Sequence, residues 1–284
     1  MRAALNAMAQ AGVHLAAVVY DLLPIHFPHY FPLADGLFVR WLDTIARFDQ
    51  LLCISRAVAA DVAAYLAAHP PANGRMPAID WFHLGADLET ATAQVARGED
   101  LRDAARQPHE RPSCLMVGTV EPRKGHALAL AAMERLWASG EDAALVIAGA
   151  PGWMVDDLLE KMQRHPESGT RLIWVERPSD AELRQLYSSC SCLLAASEAE
   201  GFGLPLIEAA RQDLPILARD IPVFREVAGD FASYFDGTGV ETLHAAFEAW
   251  LAAFHAGHVG GSRGMPWLTW RQSVDALLQR LPMN

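Results

Sequence analysis

The sequence has no apolar run long enough to cross a membrane. A spanning helix needs about 20 consecutive apolar residues, and the Ala-rich start of the chain is interrupted by Asn6, Gln10, His14 and Asp21. These interruptions are also atypical of a secretory signal peptide, which has an unbroken apolar stretch behind a basic start. The sequence therefore predicts a soluble protein of the cytoplasm.

Cysteine and basic residues are both scarce. The four cysteines lie in apolar runs without the paired spacing of a disulfide framework or a zinc site, which predicts buried thiols in a reducing compartment; they are Cys53, Cys114, Cys190 and Cys192. Lys and Arg number 23 against 34 Asp and Glu, and the net charge is −11. Such a surface repels a polyphosphate, so nucleic acid is not an expected partner.

The remaining composition is that of a folded globular chain. Hydrophobic residues make up 52% and charged residues 20% of the 284 positions, which is outside the range of disordered sequences. At about 100–200 residues per domain, this length predicts one large domain or two modest ones.

Short apolar runs alternate with segments of helical period along most of the chain. The runs are too short and too apolar for half-exposed antiparallel strands, and they indicate buried parallel sheets with crossover helices. The predicted strands are residues 113–117, 144–148, 172–175, 192–195, 215–218 and 232–234. The first hundred residues show the same alternation less completely, with strands predicted at 13–20, 51–55 and 79–83 and a helix at 57–68.

A polar stretch at residues 90–112 separates two predicted α/β lobes. Pro108 and Pro112 mark where regular structure is expected to stop. We therefore expect a first lobe at 1–107, a second lobe at 108–258, and a Gly-rich linker with a final helix at 259–284. The apolar face of that helix is expected to be buried, with the first lobe as its partner; it comprises Trp267, Trp270, Val274 and Leu277.

The strongest candidate binding segment is EGFGLPLIE, from Glu200 to Glu208, between a predicted strand and a predicted helix. Gly201 and Gly203 let the backbone turn tightly and approach a ligand, and Pro205 suits the first turn of a helix. The two carboxylates suit vicinal hydroxyls, such as those of a ribose or another sugar. The alternative is an ordinary glycine turn followed by a helix with a surface glutamate.

A second segment, GTVEPRKGH at 118–126, places two cations at the end of the first strand of the second lobe. Ligands of open α/β sheets bind at this edge, and paired Arg123 and Lys124 beside a helix start suit a diphosphate. The alternative is that both are solvated loop residues. Both segments follow strands of one predicted sheet, which favours a shared site.

Four segments, in this order, resemble the donor-binding lobe of the retaining group 1 glycosyltransferases of family 4, which have the GT-B architecture. They are VGTVEPRKG at 117–125, IAGAPGW at 147–153, EGFGLPLIE at 200–208 and DIPVFREV at 220–227. The resemblance extends over nearly the whole chain and implies an α/β, GT-B-like fold of two Rossmann-like doubly wound lobes. Within the family, the sequence is similar to the bacterial mannosyl- and rhamnosyltransferases that build O-antigen and other surface polysaccharides.

The resemblance implies a retaining hexosyltransferase that works without a metal and without a cofactor. It would move a hexose from a nucleotide diphosphate sugar to a saccharide or lipid-linked saccharide acceptor. As catalytic residues the resemblance implies Arg123 and Lys124, on the diphosphate, and Glu200, on the transferring sugar, while Glu208 would bind the ribose. The further donor-binding residues that it implies are Gly118, Thr119, Val175, Glu176, Gly201, Phe202, Gly203 and Leu204.

The implied donor is GDP-mannose, because of the branch that the sequence resembles, with the base at Val175 and Glu176. Two alternatives stay open: a catalytically weak glycosyltransferase-like binding subunit, and a nucleotide-sugar epimerase of similar shape.

The first lobe also contains a cluster of aromatic residues, which comprises Phe27, Tyr30, Phe31, Phe38 and Trp41. Core packing is the favoured explanation of this cluster, and contact with a lipid-linked acceptor or with the inner face of the membrane is the alternative.

The first lobe departs from the family pattern in two ways. In VVYDLLP at 18–24, Tyr20 stands where many relatives carry a histidine before Asp21, so the titrating imidazole is absent. Tyr20, Asp21 and His26 are the acceptor-side candidates, and Pro28 favours a loop over a metal site at 26–29. The chain also starts in the middle of the family's acceptor lobe. A fragment, a truncation, and a reduced form completed by a second copy or a partner chain are the alternatives.

Overall fold

The computed structural model describes residue 5 and residues 7–8, 11–31, 36–87 and 111–282. The chain divides into two compact units. The first consists of Met1–Asp87, Glu200–Phe202 and Trp267–Asn284, and the second of Leu88–Ala199 and Gly203–Pro266. The polar stretch in which a lobe boundary is expected lies outside the described residues, except for residues 111 and 112.

The first unit contains a three-stranded parallel sheet. Its strands are β1 (Ala16–Val19), β2 (Gln50–Cys53) and β3 (Ala78–Trp81), in the order β1-β2-β3. All residues of the central strand β2 are buried. Among the described residues before β3, the helices of this unit are α1 (Leu23–His26), α2 (Leu37–Ile45) and α3 (Arg56–Ala68). The described strands follow one another in a single direction across the sheet, and their pairing is parallel.

The second unit contains a six-stranded parallel sheet with helices between its strands. The strands are β4 (Ser113–Val117), β5 (Ala144–Ala148), β6 (Leu172–Val175), β7 (Cys192–Ala195), β8 (Ile216–Arg219) and β9 (Ser233–Phe235). The helices are α4 (His126–Ala138), α5 (Asp156–Arg164), α6 (Asp180–Ser189), α7 (Leu204–Ala210), α8 (Pro222–Ala228) and α9 (Val240–His255). The predicted buried parallel sheet is confirmed, and the predicted bounds of four strands match those observed.

The order of these strands places a crevice at one edge of the second sheet. The order is β6-β5-β4-β7-β8-β9, so the chain starts in the middle, moves outward through β5 and β6, and returns to β7 beside β4. Cys114 of β4 pairs with Cys192 of β7 in parallel register. The loops after β4 and β7 therefore leave the same edge in opposite directions, and such a switch point is where open α/β sheets bind ligands.

The final helix, α10 (Trp270–Leu278), belongs to the first unit. It is held there by polar contacts: Ser273 Oγ donates to the His83 carbonyl oxygen at 2.7 Å, and the Trp270 amide donates to the Asp87 carboxylate. The prediction of a buried Trp-rich face is wrong, because Trp270 and Val274 are 44% and 47% exposed whereas Ser273 is 1% exposed. The buried face of α10 therefore carries the hydrogen-bonding Ser273 and not Trp270 or Val274.

The four cysteines are free and buried, as the sequence predicts. Burial raises the pKa of the Cys53 and Cys190 thiols to about 12, so both stay protonated near neutral pH.

Among the described residues, no helix combines the length and the apolar character needed to span a bilayer.

The start of the loop after β5 lies tightly against the loop after β4, and this contact gives a test of the sheet edge. A Cβ added at Gly149 would overlap the Gly118 carbonyl oxygen, whereas a Cβ added at Gly260 has nothing within 4 Å. We expect Gly149→Ala to lower the free energy of unfolding by about 2–4 kcal/mol. Gly260→Ala is the control and should change it little. Denaturant unfolding measures both, and equal stabilities would contradict this packing.

Candidate functional site

The loop after β4 forms a single 3₁₀ turn, Pro122–Lys124, between the strand and α4. The turn ends at Gly125, whose φ of 77° lies in the left-handed region that glycine adopts without strain. A Cβ at Gly125 would also lie 2.6 Å from the carbonyl oxygen of Ala196, which follows β7. Gly125 thus allows both the turn and the close approach of the two loops at the switch point.

Arg123 connects these two loops. Its Nη2 lies 2.6 Å from Oε1 of Glu121, and its Nη1 donates to the Ala199 carbonyl oxygen at 2.9 Å. The amide of Glu198 donates in turn to the carbonyl oxygen of Arg123 at 2.8 Å. The Glu121 side chain is only 3% exposed and that of Arg123 14%. The buried carboxylate therefore offsets much of the guanidinium charge.

The Lys124 side chain lies close to the backbone at the start of the same loop. It runs along the backbone of Gly118, so that a Cβ added at Gly118 would lie 3.7 Å from its Nζ. His126, the first residue of α4, is 1% exposed. Burial and, to a smaller extent, the charge of Lys124 lower the pKa of His126 to about 4, so the imidazole is neutral near pH 7.

Glu208 and Tyr187 form a buried pair in the second unit. Tyr187 Oη donates to Oε2 of Glu208 at 2.5 Å, and the tyrosine is 1% exposed. Burial raises the pKa of Glu208, and the hydrogen bond from Tyr187 opposes that rise. Glu208 is the fifth residue of α7. Pro205 does lie in the first turn, as predicted.

The segment Glu200–Phe202 belongs to the first unit, whereas Gly203 and Leu204 start α7 in the second. Gly201 and Phe202 are buried, and the Phe202 ring lies 5.3 Å from the His83 ring between centroids. Gly203 has a φ of 100°, a conformation that suits glycine. The two carboxylates of the EGFGLPLIE segment thus lie in different units.

The remaining donor-side candidates lie at strand ends of the second sheet. Val175 is the buried last residue of β6, and Glu176, which follows it, is exposed and pairs with Arg177 at 3.3 Å. Gly118 and Thr119 directly follow β4. In a parallel sheet these positions share one edge, the edge of the switch point.

The acceptor-side candidates lie together at the carboxyl end of β1 in the first unit. Tyr20 follows the strand and is 59% exposed. Asp21 Oδ1 accepts from the Leu23 amide at 3.0 Å, at the start of α1, and His26 ends that helix with an exposed side chain. The residues that the structure describes contain no group of three or more His, Cys, Asp or Glu side chains able to hold a metal ion.

Two members of the predicted aromatic cluster pack against the core, and two others are half-buried. Phe38 and Trp41 contact each other at 5.0 Å between ring centroids and pack against the core of the first unit. Phe27 and Tyr30 stack at 6.2 Å, and both are half-buried. For Phe38 and Trp41, core packing is therefore the structural explanation.

Three residues at the site were missed in the sequence analysis: Glu121, His126 and Tyr187. Glu121 lies next to Pro122 in a quoted motif, and its acidic side chain near two cations was the available signal. Tyr187 lies 21 residues from Glu208, and a contact of this kind has no sequence period. Only the packing of α6 near α7 brings those two side chains together.

A family model described as glycosyl transferases group 1 matches residues 98–253. This match extends over more than half of the chain. The chain belongs to the group 1 glycosyl transferases.

Curated relatives match over much of this chain but over a minor part of their own length. The serotype-specific mannosyltransferase WbdA of Escherichia coli is 41% identical over 285 residues, which cover 98% of this chain and 35% of that protein. The O-antigen chain mannosyltransferase B of Escherichia coli is 31% identical over 135 residues, which cover 46% of this chain and 34% of that protein. This chain spans about a third of the length of these relatives.

Two solved structures share the fold of this chain at low sequence identity. Anabaena Alr3699/HepE, in complex with UDP and glucose, superposes with a TM-score of 0.70 at 16% identity, over 99% of this chain and 76% of its own. The sucrose-phosphate synthase of Thermosynechococcus elongatus gives a TM-score of 0.74 at 17% identity, over 97% of this chain and 69% of its own. The expected α/β, GT-B-like architecture is confirmed, and the chain covers part of it.

The buried Tyr187–Glu208 pair leads to a prediction about protonation. Burial makes the Glu208 carboxyl harder to ionise in the folded chain, while the tyrosine hydroxyl stabilises the carboxylate. We therefore expect the pKa of Glu208 to be above its ordinary value and to rise further in Tyr187→Phe. An NMR titration of the glutamate Cδ signals, assigned with Glu208→Gln, measures both pKa values.

Tyr234→Phe is the matched control for this titration. Tyr234 donates to the Gly229 carbonyl oxygen at 2.8 Å and makes no hydrogen bond to Glu208, so it should leave the pKa of Glu208 unchanged. Because folding raises this pKa, Glu208 should contribute less to the free energy of unfolding as the pH rises through it. A pKa that falls in Tyr187→Phe would contradict the assigned hydrogen bond.

Proposed function

We propose that this chain transfers a hexose from a nucleotide diphosphate sugar to a saccharide or lipid-linked saccharide acceptor, with retention of anomeric configuration and without a metal ion. The observation that carries the proposal is the arrangement in the second unit. Lys124 and the Glu121–Arg123 pair lie in the loop after β4, and the Glu208–Tyr187 pair lies in the helices that flank β7. The switch point of a Rossmann-like sheet lies between β4 and β7.

Mannose is the proposed sugar and GDP-mannose the proposed donor. Membership of the group 1 glycosyl transferases supports a nucleotide sugar, and the 41% identity with a protein named as a mannosyltransferase supports mannose. The name of a second relative, an O-antigen chain mannosyltransferase, supports an acceptor that is a growing surface saccharide. The Tyr20, Asp21 and His26 cluster is the proposed acceptor side.

The diphosphate is proposed to bind at the turn between β4 and α4. Arg123 and Lys124 both supply positive charge there, and the carboxylate of Glu121 holds the guanidinium of Arg123 in place. Positive charge at this place stabilises the negative charge that develops on the diphosphate as its bond to the sugar breaks. Arg123 also holds the loop after β7 in place through the Ala199 carbonyl oxygen. Gly118 and Thr119 would complete the diphosphate site.

The ribose is proposed to bind to Glu208. A carboxylate accepts hydrogen bonds from two vicinal hydroxyls only when it is ionised. Tyr187 orients the group by donating to Oε2, which leaves Oε1 for a sugar hydroxyl. The raised pKa of Glu208 implies that nucleotide binding weakens as the pH falls toward that value.

The transferring sugar is proposed to lie at Glu200, and the base at Val175 and Glu176. The amides of Gly201, Phe202 and Gly203 would donate hydrogen bonds to the sugar, and Leu204 would contact it. In the transfer step, the anomeric carbon loses its bond to the diphosphate oxygen, and the acceptor oxygen bonds to the same face of that carbon. The acceptor proton passes to the leaving diphosphate oxygen, so no protein nucleophile takes part.

The proposed location is the cytoplasm, and the inner face of the membrane is the alternative. Its support is the state of the cysteines, since four buried free thiols are typical of a reducing compartment. A second copy of the chain or a partner chain is the proposed protein partner.

Calorimetric titration with GDP, UDP, ADP and dTDP tests the donor site. We expect GDP to bind and Lys124→Ala and Glu208→Ala each to weaken its binding about tenfold to a hundredfold, because each removes a charge-assisted hydrogen bond. Lys161→Ala is the matched control: Lys161 lies in the same unit, pairs with Glu134 at 2.7 Å, and should leave the affinity unchanged.

Three results would contradict parts of the proposed function. Folded wild-type protein that binds none of the four nucleotides would refute the donor site and leave a binding subunit as the explanation. Conversion of GDP-mannose to another nucleotide sugar without any acceptor would identify an epimerase. Transfer of mannose to an acceptor with inverted configuration would refute the retaining step.

A further inference from the structure

Ser55 is a fully buried serine at the carboxyl end of β2, with 0% of its surface exposed. Its Oγ accepts a hydrogen bond from the Val58 amide at 3.1 Å and so caps the start of α3. The same Oγ donates to the carbonyl oxygen of Gly201 at 2.8 Å. A hydroxyl has one proton to donate, and in Ser55 that proton is committed to Gly201.

The segment Glu200–Phe202 is held by residues from the ends of all three strands of the first sheet. The Tyr20 carbonyl oxygen, after β1, lies so close to Gly201 that any Cβ there would overlap it. Ser55 follows β2, and His83 follows β3 and lies against the ring of Phe202. Phe202 is 3% exposed. The segment is therefore fastened along the carboxyl edge of this sheet.

The hydrogen bond from Ser55 to the Gly201 carbonyl oxygen also affects the Phe202 N–H, which belongs to the same peptide unit. A trans peptide is planar, and its carbonyl and N–H point in opposite directions. The structure has no cis peptide among the residues it describes. Anchoring the Gly201 carbonyl oxygen therefore sets the direction of the Phe202 N–H.

We infer that Ser55 is a positioning residue for the transferring sugar: by binding the Gly201 carbonyl oxygen, it fixes the orientation of the Phe202 N–H, which is proposed to donate to that sugar. The inference rests on the proposed function, which places the sugar at this segment. Ser55 itself does not touch the donor. Removing its hydroxyl should therefore affect recognition of the sugar and not that of the nucleotide.

The variant Ser55→Gly tests the positioning role of Ser55 apart from its helix-capping role, because glycine at a helix N-cap costs much less helix stability than alanine does. We expect the affinity for GDP-mannose to fall about fivefold to tenfold, as for one lost hydrogen bond, and the affinity for GDP to stay unchanged. Ser55→Thr keeps the hydroxyl and should restore GDP-mannose binding. Calorimetric titration of each variant with both ligands gives the comparison.

Thr269→Ala is the matched control. Thr269 caps α10 in the same unit, with its Oγ1 accepting from the Gln272 amide at 3.2 Å, and it makes no hydrogen bond to Glu200–Phe202. Both affinities should be unchanged in this variant. An equal loss for GDP and GDP-mannose in Ser55→Gly, or no loss for either, would overturn the inference.

Hydrogen exchange of the ligand-free protein tests the same contact without a donor. Peptides that contain residues 200–203 should exchange faster in Ser55→Gly, and also in Ser55→Ala, than in the wild type or in Thr269→Ala. Unchanged exchange in both hydroxyl-free variants would refute the positioning role. Wild-type protein that binds neither GDP nor GDP-mannose would instead refute the proposed function, whatever the exchange result.

Discussion

The close approach of the loop after β4 to the loop after β7 is the constraint on which the second unit's site depends. Gly125 permits it, because a side chain there would collide with the Ala196 carbonyl oxygen. Arg123 then links the loops through the Ala199 carbonyl oxygen and the buried carboxylate of Glu121. Breaking a buried pair of this kind leaves an uncompensated charge, so the pair holds the turn that carries Lys124.

Buried ionisable groups set the charge of this site. Burial keeps the His126 imidazole neutral and raises the pKa of Glu208. Glu121 lies against Arg123, so the two opposite charges offset each other. The chain carries a net charge of −11, and a diphosphate is attracted to such a protein only where positive charge is local. The turn Pro122–Lys124 carries two adjacent basic residues, Arg123 and Lys124.

The segment Glu200–Phe202 shows how one loop can depend on residues far away in the sequence. Ser55 is 146 residues from Gly201, yet its hydroxyl fixes the orientation of that backbone. Glycine is needed at position 201 for lack of space beside Tyr20, whereas at position 203 it is needed for a φ of 100°. The two glycines of one short motif therefore serve different physical purposes.

The sequence by itself determined the parallel sheets, most strand positions and the motifs of the candidate site, because short apolar runs leave a periodic signal in the sequence. Only the tertiary structure decided the contact of Arg123 with Ala199, the partner of Glu208, the anchoring of Gly201, and the exposure of Trp270 on α10. These features depend on contacts between residues that are distant in the chain, and such contacts have no regular spacing in the sequence.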